Sequence, residues 1–222
     1  MNGTRLYVAD TAFLNDKTRF QAAYLTVDPT RQQKIDRLRK DSDKRLSLAV
    51  FLLLREALAA NGIYDFRLLY AENGKPYLEG SPLHISLSHS GEMVLCAVSE
   101  REVGCDIERI GTPRLAAAKR FFHPLEYKAL ADCASEEEER RLFYRLWTLK
   151  ESVIKKTGRG LSQGLSSFAV QTDGKDVRLS DASASVYLRS YPLEGYEAAV
   201  CAETPPPDEL LRLSLDKEAG CV

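Results

Sequence analysis

The longest apolar stretch of the chain, residues 48–54, lies inside a segment that is apolar around most of a helical circumference. That segment, residues 43–60, predicts a buried helix, which Asn61-Gly62 would end as a C-cap. Residues 31–40 precede it and predict a second helix, which is basic and solvated. The apolar stretch is far too short to cross a lipid bilayer.

Apolar and polar residues alternate in several short segments, which are separated by turn residues. Such alternation predicts strands with one buried face. The first five predicted strands are residues 5–9, 65–70, 83–87, 93–98 and 103–107. The last three are residues 167–171, 185–190 and 196–201.

A helical period returns after Pro113 and continues through residue 130. Ser135 and Glu138 have the spacing of a capping box, which predicts the start of a long helix. That helix would run to about Thr157, where glycines stop it. The order of elements predicts an α+β fold in two halves, each a small antiparallel-rich sheet packed on a long helix.

The predicted halves divide the chain after residue 102. Residues 1–102 form the N-terminal half, residues 103–204 form the C-terminal half, and residues 205–222 form a charged tail. The proline run at 205–207 would close the compact part, so the tail is expected to be dispensable. No internal repeat is strong enough to establish that one half is a duplicate of the other.

The composition of the chain limits the classes of function that are expected for it. The 222 residues are 44% hydrophobic and 28% charged with a net charge of −1, so the overall field gives no reason to expect nucleic-acid binding. Five cysteines without C-x-x-C spacing fit a reducing cytosol rather than a disulfide framework or a zinc site. The N-terminus lacks the pattern of a signal peptide, and a cytoplasmic location is therefore expected.

Asp106 and Glu108 stand two positions apart in a strand-like segment. Val103, Cys105 and Ile107 would face one side of that strand, and both carboxylates would face the other. Two carboxylates so close repel each other unless a cation or a proton lies between them, and hard divalent cations prefer oxygen ligands. The alternative is a half-buried edge strand whose polar face meets water.

A second group of candidate site residues lies in the long helix that is predicted to end at about Thr157. Its apolar stripe is Leu142, Leu146, Leu149 and Val153, at steps of four, three and four. Glu151 and Lys155 fall on the border of the buried arc, where a side chain is held firmly and still reaches a ligand. The alternative is an ordinary Glu–Lys pair four residues apart, worth a few tenths of a kcal/mol, roughly.

Two further segments are candidates for binding phosphate. The Ser-His-Ser sequence at residues 88–90, followed by Gly91, offers several hydrogen-bond donors after a strand. Its alternative is a polar turn with a surface histidine. Arg31, Lys34 and Arg45 belong to the basic region, for which a solvated basic face is the usual explanation; alternatively they would gather round a phosphomonoester.

The combination and order of these motifs resemble a known family. Val103-Gly-Cys-Asp-Ile-Glu108, followed by residues 143–161, looks like the paired signature of the 4′-phosphopantetheinyl transferases. Gly74-Lys75-Pro76 and Ser88-His89-Ser90 lie upstream, as they do in that family. The resemblance spans nearly the whole chain, and its length is similar to the monomeric, surfactin-synthetase-activating type rather than the short trimeric type.

The resemblance implies transfer of the 4′-phosphopantetheine group of coenzyme A to a serine of an acyl or peptidyl carrier protein, with release of 3′,5′-ADP. It also implies two similar α/β halves packed as a pseudo-dimer, with coenzyme A in the cleft between them. The implied ligands of a magnesium ion are Asp106, Glu108 and Glu151. The implied contacts of coenzyme A are Arg31, Lys34, Arg45, Gly74, Lys75, Pro76, Ser88, His89, Ser90, Asp106 and Lys155.

Two of these residues would take part in the chemistry if the resemblance holds. Lys155 would assist the leaving phosphate, and either Glu151 or a magnesium-bound water would accept the proton of the attacking serine. Residues 157–165, with the strand region after them, would form part of the surface on which the carrier protein docks.

Two other functions remain compatible with the residues. A magnesium-dependent nucleotide or diphosphate hydrolase would use the same acids and would release 3′,5′-ADP from coenzyme A without any carrier. A non-catalytic module that binds coenzyme A or a carrier would show no turnover at all. The complete set of Asp106, Glu108, Glu151 and Lys155 argues against such a module.

Overall fold

The computed structural model describes residues 3–113, 115–158, 164–173, 176–180 and 186–216. The helices within these ranges are α1 (Lys17–Tyr24), α2 (Pro29–Asp36), α3 (Asp41–Ala59), α4 (Leu115–Phe121), α5 (Pro124–Ala131) and α6 (Glu136–Thr157). The first six strands are β1 (Arg5–Asp10), β2 (Leu68–Tyr70), β3 (Pro76–Leu78), β4 (His84–Ser90), β5 (Met93–Ser99) and β6 (Val103–Arg109). Those that follow are β7 (Val170–Asp173), β8 (Asp176–Leu179), β9 (Tyr187–Leu193), β10 (Tyr196–Ala202) and β11 (Leu211–Arg212).

Two sheets, each covered by one long helix, make up the centre of the molecule. The first sheet has the order β11-β1-β5-β4, and its β1, β5 and β4 are antiparallel neighbours. Helix α3 packs on one of its faces through buried residues such as Leu53, which lie against Tyr7, Val94 and Cys96 of the sheet. The second sheet has the antiparallel order β6-β10-β9 and is covered by α6.

The uncovered faces of the two sheets pack against each other. Leu6, Val8 and Leu95 from the first sheet share a buried cluster with Cys105 and Ile107 from the second. The layers are therefore α3, first sheet, second sheet and α6. Because β5 is covered on both faces, all seven of its residues are buried, and the prediction of a mixed α+β fold is confirmed.

The long helix α6 begins and ends as its sequence predicts. Ser135 Oγ accepts a hydrogen bond from the backbone N–H of Glu138 at 3.2 Å. The carboxylate of Glu138 reaches back to the N–H of Ala134, one residue before the position that a capping box requires. Gly158 follows the helix with φ of +66°, the left-handed conformation that suits glycine at a C-cap.

Several predicted boundaries differ from the structure. Helix α2 ends at Asp36 rather than at residue 40. The helical region after Pro113 is divided into α4 and α5, because Pro124 begins a new helix that His123 caps through its ring nitrogen and the N–H of Leu125. The predicted strand at 65–70 is only the three residues of β2.

The segment after the proline run belongs to the packed structure, in contrast to the expectation that the compact part ends there. Leu211 and Arg212 pair in parallel with Tyr7 and Val8, and Leu213 donates its N–H to the carbonyl of Val8 at 3.0 Å. Leu213 also packs on the core beneath α3. Residues 211–213 therefore extend the first sheet, and removing them would expose the edge of it that β1 forms.

Two findings bear on the environment of the protein. Among the described residues, no helix combines the length and the apolarity needed to cross a lipid bilayer. Cys96, Cys105, Cys133 and Cys201 are free thiols. The absence of a disulfide framework from the described part of the chain agrees with the spacing of the cysteines in the sequence.

Candidate functional site

The two sheets meet along β4 and β6. These two strands are joined by hydrogen bonds from the backbone of β6 to serine side chains of β4. Ser86, Ser88 and Ser90 project from the same face of β4, because alternate residues of a strand share a face. Their hydroxyl oxygens accept hydrogen bonds from the backbone N–H groups of Cys105 at 2.9 Å, of Ile107 at 3.3 Å and of Arg109 at 3.0 Å. This row of serines, here called the serine seam, joins the two halves at the motif that contains Asp106 and Glu108.

Each of the last two serines also fixes a carboxylate. Ser88 donates to Asp106 Oδ1 at 2.7 Å, and Ser90 donates to Glu108 Oε2 at 2.7 Å. Asp106 is only 4% exposed, so the alternative, in which this face of the strand simply meets water, does not hold for Asp106. The Ser-His-Ser and Asp-x-Glu motifs, separated by 18 positions, thus form one site.

Lys155 completes this arrangement from α6. Its ammonium donates to Asp106 Oδ1 at 2.7 Å and to Ser88 Oγ at 2.9 Å. Burial lowers the pKa of Lys155, but the negative groups around the ammonium, of which Asp106 is the strongest, together outweigh burial and raise the pKa above its ordinary value. The ammonium is therefore positively charged at neutral pH and held in a defined position.

Glu151 lies one helical turn before Lys155 and is half-buried, as its border position predicts. Burial raises the pKa of the Glu151 carboxyl, the negative charge of Asp106 raises it further, and Lys155 partly opposes both. Glu108 adds a smaller contribution in the same direction as Asp106. Three carboxylates therefore share one electrostatic environment with a single ammonium group.

A glycine permits the close approach of β6 to α6. A Cβ atom on Gly104 would lie 2.0 Å from the carbonyl oxygen of Ser152 and 2.3 Å from the backbone nitrogen of Lys156. Only hydrogen fits there, so the strand that holds Asp106 can rest directly on the helix turn that holds Lys155. Gly104 is a functional position that the strand pattern alone does not reveal.

The donor set suits a hard divalent cation in its chemistry. Within the described ranges, no group of three His, Cys, Asp or Glu side chains is arranged as a ready metal centre. However, Asp106 Oδ2 is buried and has no hydrogen-bond partner among the described residues. Three carboxylates and one ammonium also leave an excess of about two negative charges, which a divalent cation would neutralise. The residues therefore fit magnesium.

Two of the three predicted phosphate residues of the basic region, Arg31 and Lys34, form a second cluster around Tyr70. The guanidinium of Arg31 is buried; it donates to the carbonyl and hydroxyl oxygens of Ser47 and interacts with the Tyr70 hydroxyl. The Lys34 ammonium lies 3.7 Å from the centre of the Tyr70 ring. Burial lowers the pKa of Arg31, and its Nε has no hydrogen-bond partner in the described part of the chain. Arg45 lies half-buried in the first half of α3.

The predicted Gly-Lys-Pro segment lies in the turn between β2 and β3. Gly74 has φ of +81°, and Pro76 begins β3. The ammonium of Lys75 is already engaged, because it bonds to the carboxylate of Glu102 and to the carbonyl oxygen of Lys156. Sequence analysis assigned this side chain to coenzyme A and did not foresee these two partners, which lie 27 and 81 positions away.

His89 differs in orientation from the serines on either side of it. By strand alternation it shares the α3 face of β4 with Ile85 and Leu87 rather than the serine-seam face. Partial desolvation lowers the pKa of its imidazole, and the positive charge of Lys155 lowers it further. The ring is therefore neutral near pH 7 and offers one N–H donor at the edge of the site.

One buried ion pair was missed by sequence analysis. Lys150 is fully buried; its ammonium donates to Glu126 Oε1 at 2.7 Å and to the carbonyl oxygen of Phe168 at 2.6 Å. Glu126 Oε1 also accepts the N–H of Val170 at 2.6 Å. This pair joins α5, α6 and the start of β7. An arginine or lysine at a helix border is ordinarily expected to reach solvent, so no signal in the sequence indicated it.

The carrier-docking segment predicted at 157–165 is described only at its ends. Residues 159–163 lie outside the described residues. A groove of about 1740 Å³ is present elsewhere, beside the first turns of α6 and strand β9, and is lined by residues that include Arg141 and Glu197. None of its described lining residues belongs to the site around Asp106, so the groove and the candidate site are separate features of the surface.

The sequence of this chain is similar to those of several known proteins. The sequence model of the 4′-phosphopantetheinyl transferase superfamily (ACPS) matches residues 102–201. The chain is 34% identical to 4′-phosphopantetheinyl transferase Sfp of Bacillus subtilis (strain 168), over 86% of this chain and 89% of that protein. It is 36% identical to a second 4′-phosphopantetheinyl transferase of Bacillus subtilis, over 86% and 87%, and 40% identical to 4′-phosphopantetheinyl transferase psf-1 of Bacillus pumilus, over 69% and 71%.

Among solved structures, the fold overlaps with that of Thermotoga maritima holo-[acyl-carrier-protein] synthase (AcpS) with a TM-score of 0.39 and 14% sequence identity. The overlap covers 48% of this chain and 64% of that chain.

Proposed function

We propose a catalytic arrangement for this chain, which belongs to the 4′-phosphopantetheinyl transferase superfamily. As a member, it transfers 4′-phosphopantetheine from coenzyme A to carrier proteins and is thus a holo-carrier-protein synthase. The observation that supports the arrangement is the contact of Lys155 with Asp106 and Ser88, beside two further carboxylates.

The reaction replaces the phosphoanhydride bond between the two phosphates of coenzyme A with a phosphate ester to the carrier serine. The hydroxyl oxygen of the carrier serine attacks the β-phosphorus of coenzyme A, and the bond from that phosphorus to the oxygen of 3′,5′-ADP breaks. Negative charge builds on the former bridging oxygen, which leaves on the 5′-phosphate of 3′,5′-ADP, and the Lys155 ammonium is suitably charged to stabilise it. Magnesium, held by Asp106, Glu108 and Glu151, would supply charge neutralisation at the non-bridging oxygens.

Glu151 is the proposed acceptor of the proton from the carrier serine. Glu151 lies one helical turn before Lys155 and is half-buried, so its carboxylate is held at the border of the site, as a general base requires. Asp106 and Glu108 are held by serine hydroxyls and therefore act by position and charge rather than by proton transfer.

Coenzyme A is proposed to bind between the two clusters. Arg31, Lys34 and Arg45, with neutral His89, surround the 3′-phosphate. Residues 74–76 lie beside the adenine and contribute their backbone and the lysine stem, because the ammonium of Lys75 bonds to Glu102. Ser88 and Ser90, which hold the carboxylates, border the diphosphate.

Both halves contribute to the proposed site, since the serines come from β4 and the carboxylates and lysine come from β6 and α6. One chain therefore supplies the whole set, which supports a monomer in which residues 1–102 and 103–204 pack as the two parts of a pseudo-dimer. We place its reaction in the cytoplasm, where coenzyme A and carrier proteins are found together. Residues 157–165 and the strand region after them are proposed to contact the carrier.

The test is a mass-shift assay with a panel of apo carrier proteins. Coenzyme A with magnesium is expected to add one phosphopantetheine per carrier, and a chelator is expected to abolish the addition. Release of 3′,5′-ADP without a carrier would instead indicate a hydrolase, and binding of coenzyme A without turnover would indicate a non-catalytic module.

A variant and its control test the proposed base. Glu151→Gln should lower kcat by at least about 100-fold while the protein stays folded. Glu136→Gln changes an exposed glutamate in the first turn of the same helix and should leave kcat unaltered. Undiminished activity of Glu151→Gln would remove Glu151 from the mechanism.

A further inference from the structure

The turn between β2 and β3 contacts the C-terminal end of helix α6. The side-chain amide of Asn73 donates to the carbonyl oxygen of Gly158, and the ammonium of Lys75 donates to the carbonyl oxygen of Lys156 at 2.7 Å. Carbonyl groups in the last turn of a helix have no N–H partner within the helix. A turn from the first half of the chain therefore caps a helix of the second half.

The turn is built in a way that presents these two donors together. Gly74 has φ of +81°, and its N–H donates to the carbonyl oxygen of Ala71 at 2.8 Å. Asn73 Oδ1 accepts the backbone N–H of Lys75 at 3.0 Å, so the same amide group that closes the turn also reaches the helix. The carboxylate of Glu102 bonds to the Lys75 ammonium and contacts His84 Nδ1 at 3.2 Å.

The fit on the helix side is equally close. A Cβ atom on Gly158 would lie 2.8 Å from Asn73 Nδ2 and 3.3 Å from Lys75 Cδ. On another side of the same turn, Gly104 touches the backbone of Ser152 and Lys156. The end of α6 is therefore held between strand β6 and the β2–β3 turn.

Lys155 lies at the centre of this held segment, directly before Lys156. We propose that Asn73 and Lys75 are positioning residues that fix the last turn of α6 and so keep the Lys155 ammonium on Asp106 and Ser88. A positive charge at the C-terminus of a helix also interacts favourably with the helix dipole, which adds to the effect of Lys75. The proposal rests on the proposed function, in which Lys155 assists the leaving group.

Asn73 provides the cleaner test, because Lys75 belongs to the proposed coenzyme site. Asn73→Ala removes both the amide donor and the turn-closing oxygen, whereas Asn73→Asp keeps the oxygen for the Lys75 N–H and removes only the donor. Both variants are expected to lower kcat about tenfold, with the KM for coenzyme A changed less than twofold. Glu72→Gln, at an exposed position of the same turn, is the control and should behave as the wild type.

Hydrogen exchange gives a readout that does not depend on turnover. In Asn73→Ala and Asn73→Asp, the amides of residues 155–158 should exchange several-fold faster than in the wild type, while those of α3 stay unchanged. Lys75→Met should lower kcat relative to the wild type. Lys75→Arg, which retains a hydrogen-bond donor, should keep most of the wild-type kcat.

A wild-type kcat in Asn73→Ala would overturn the positioning role. Full activity in Asn73→Asp would overturn it too, because it would show that only the closure of the turn matters and not the bond to the helix. Unchanged exchange at residues 155–158 would overturn it as well. A failure of the proposed function would be visible separately. The wild-type protein would then transfer no phosphopantetheine, while the Asn73 variants would still exchange the amides of residues 155–158 faster than the wild type.

Discussion

Gly104→Ala is expected to damage catalysis by displacing a helix rather than by changing a reacting group. The added Cβ would lie 2.0 Å from the carbonyl oxygen of Ser152 and 2.3 Å from the nitrogen of Lys156, and both atoms belong to the backbone of α6. Backbone atoms cannot rotate away as a side-chain tip would. The helix must therefore withdraw from β6 by about 1 Å to restore even a 3.0 Å contact.

The cost follows from that displacement. Overpacking of a well-packed interior typically destabilises a protein by about 1 to 3 kcal/mol. The same movement carries Lys155 and Glu151 away from Asp106, and a misplacement of about 1 Å lowers a rate on the order of 100-fold. Chemical denaturation measures the free energy of unfolding, and a carrier mass-shift assay at saturating coenzyme A measures kcat.

Gly111→Ala is the matched control. Gly111 has an ordinary backbone conformation, and a Cβ there would meet only the Tyr144 hydroxyl at 3.4 Å. We expect its stability and kcat to stay near those of the wild type. If Gly104→Ala were as stable and as active as Gly111→Ala, the direct contact of β6 with α6 would not exist and the account of how Lys155 is positioned would fail.

Three further predictions concern the surroundings of the site. Ser90→Ala removes the hydroxyl that holds Glu108, so a magnesium titration of transfer should show about tenfold weaker magnesium affinity and a preserved kcat at saturation. Lys150→Met leaves Glu126 buried without its charge partner and should lower the free energy of unfolding by about 3 to 5 kcal/mol in urea, with partial recovery when Glu126→Gln is added. Burial raises the pKa of the Glu197 carboxyl to about 7, so its contribution to stability is present below about pH 4.5 and is lost as the pH rises through 7. Glu197→Gln should therefore be more stable than the wild type at pH 8, by up to about 3 kcal/mol, and similar to it at pH 4.5 in parallel urea titrations; a constant difference would contradict this.

Local periodicity predicted the parts of the site that one element fixes by itself. Leu146, Leu149 and Val153 are buried on α6, and Glu151 and Lys155 are half-buried at the border of that stripe. A helix turns by about 100° per residue wherever it occurs, so the relation between these side chains is set before any tertiary contact forms. The opposite faces of Asp106 and Cys105 follow in the same way from the alternation of a strand.

Contacts between distant segments were not predictable in this way. Nothing near Lys150 in the sequence indicates that Glu126, 24 positions earlier, would accept its ammonium in the interior. The pairing of Leu211 with Tyr7 likewise depends on where the first sheet ends, which is a property of the assembled fold. Such partners are selected by the packing of whole elements, whereas sequence patterns report only how one element presents its faces.

Ser88 shows why stability and chemistry are joined in this site. A hydroxyl can donate one hydrogen bond and accept two, and Ser88 uses all three: it donates to Asp106 and accepts from Lys155 and from the N–H of Ile107. The last of these bonds connects the two sheets, and the first two fix the charged groups that the proposed reaction needs. The same atom therefore closes the seam between the halves and orients the lysine that is proposed to assist the leaving group, so neither half alone can form the site.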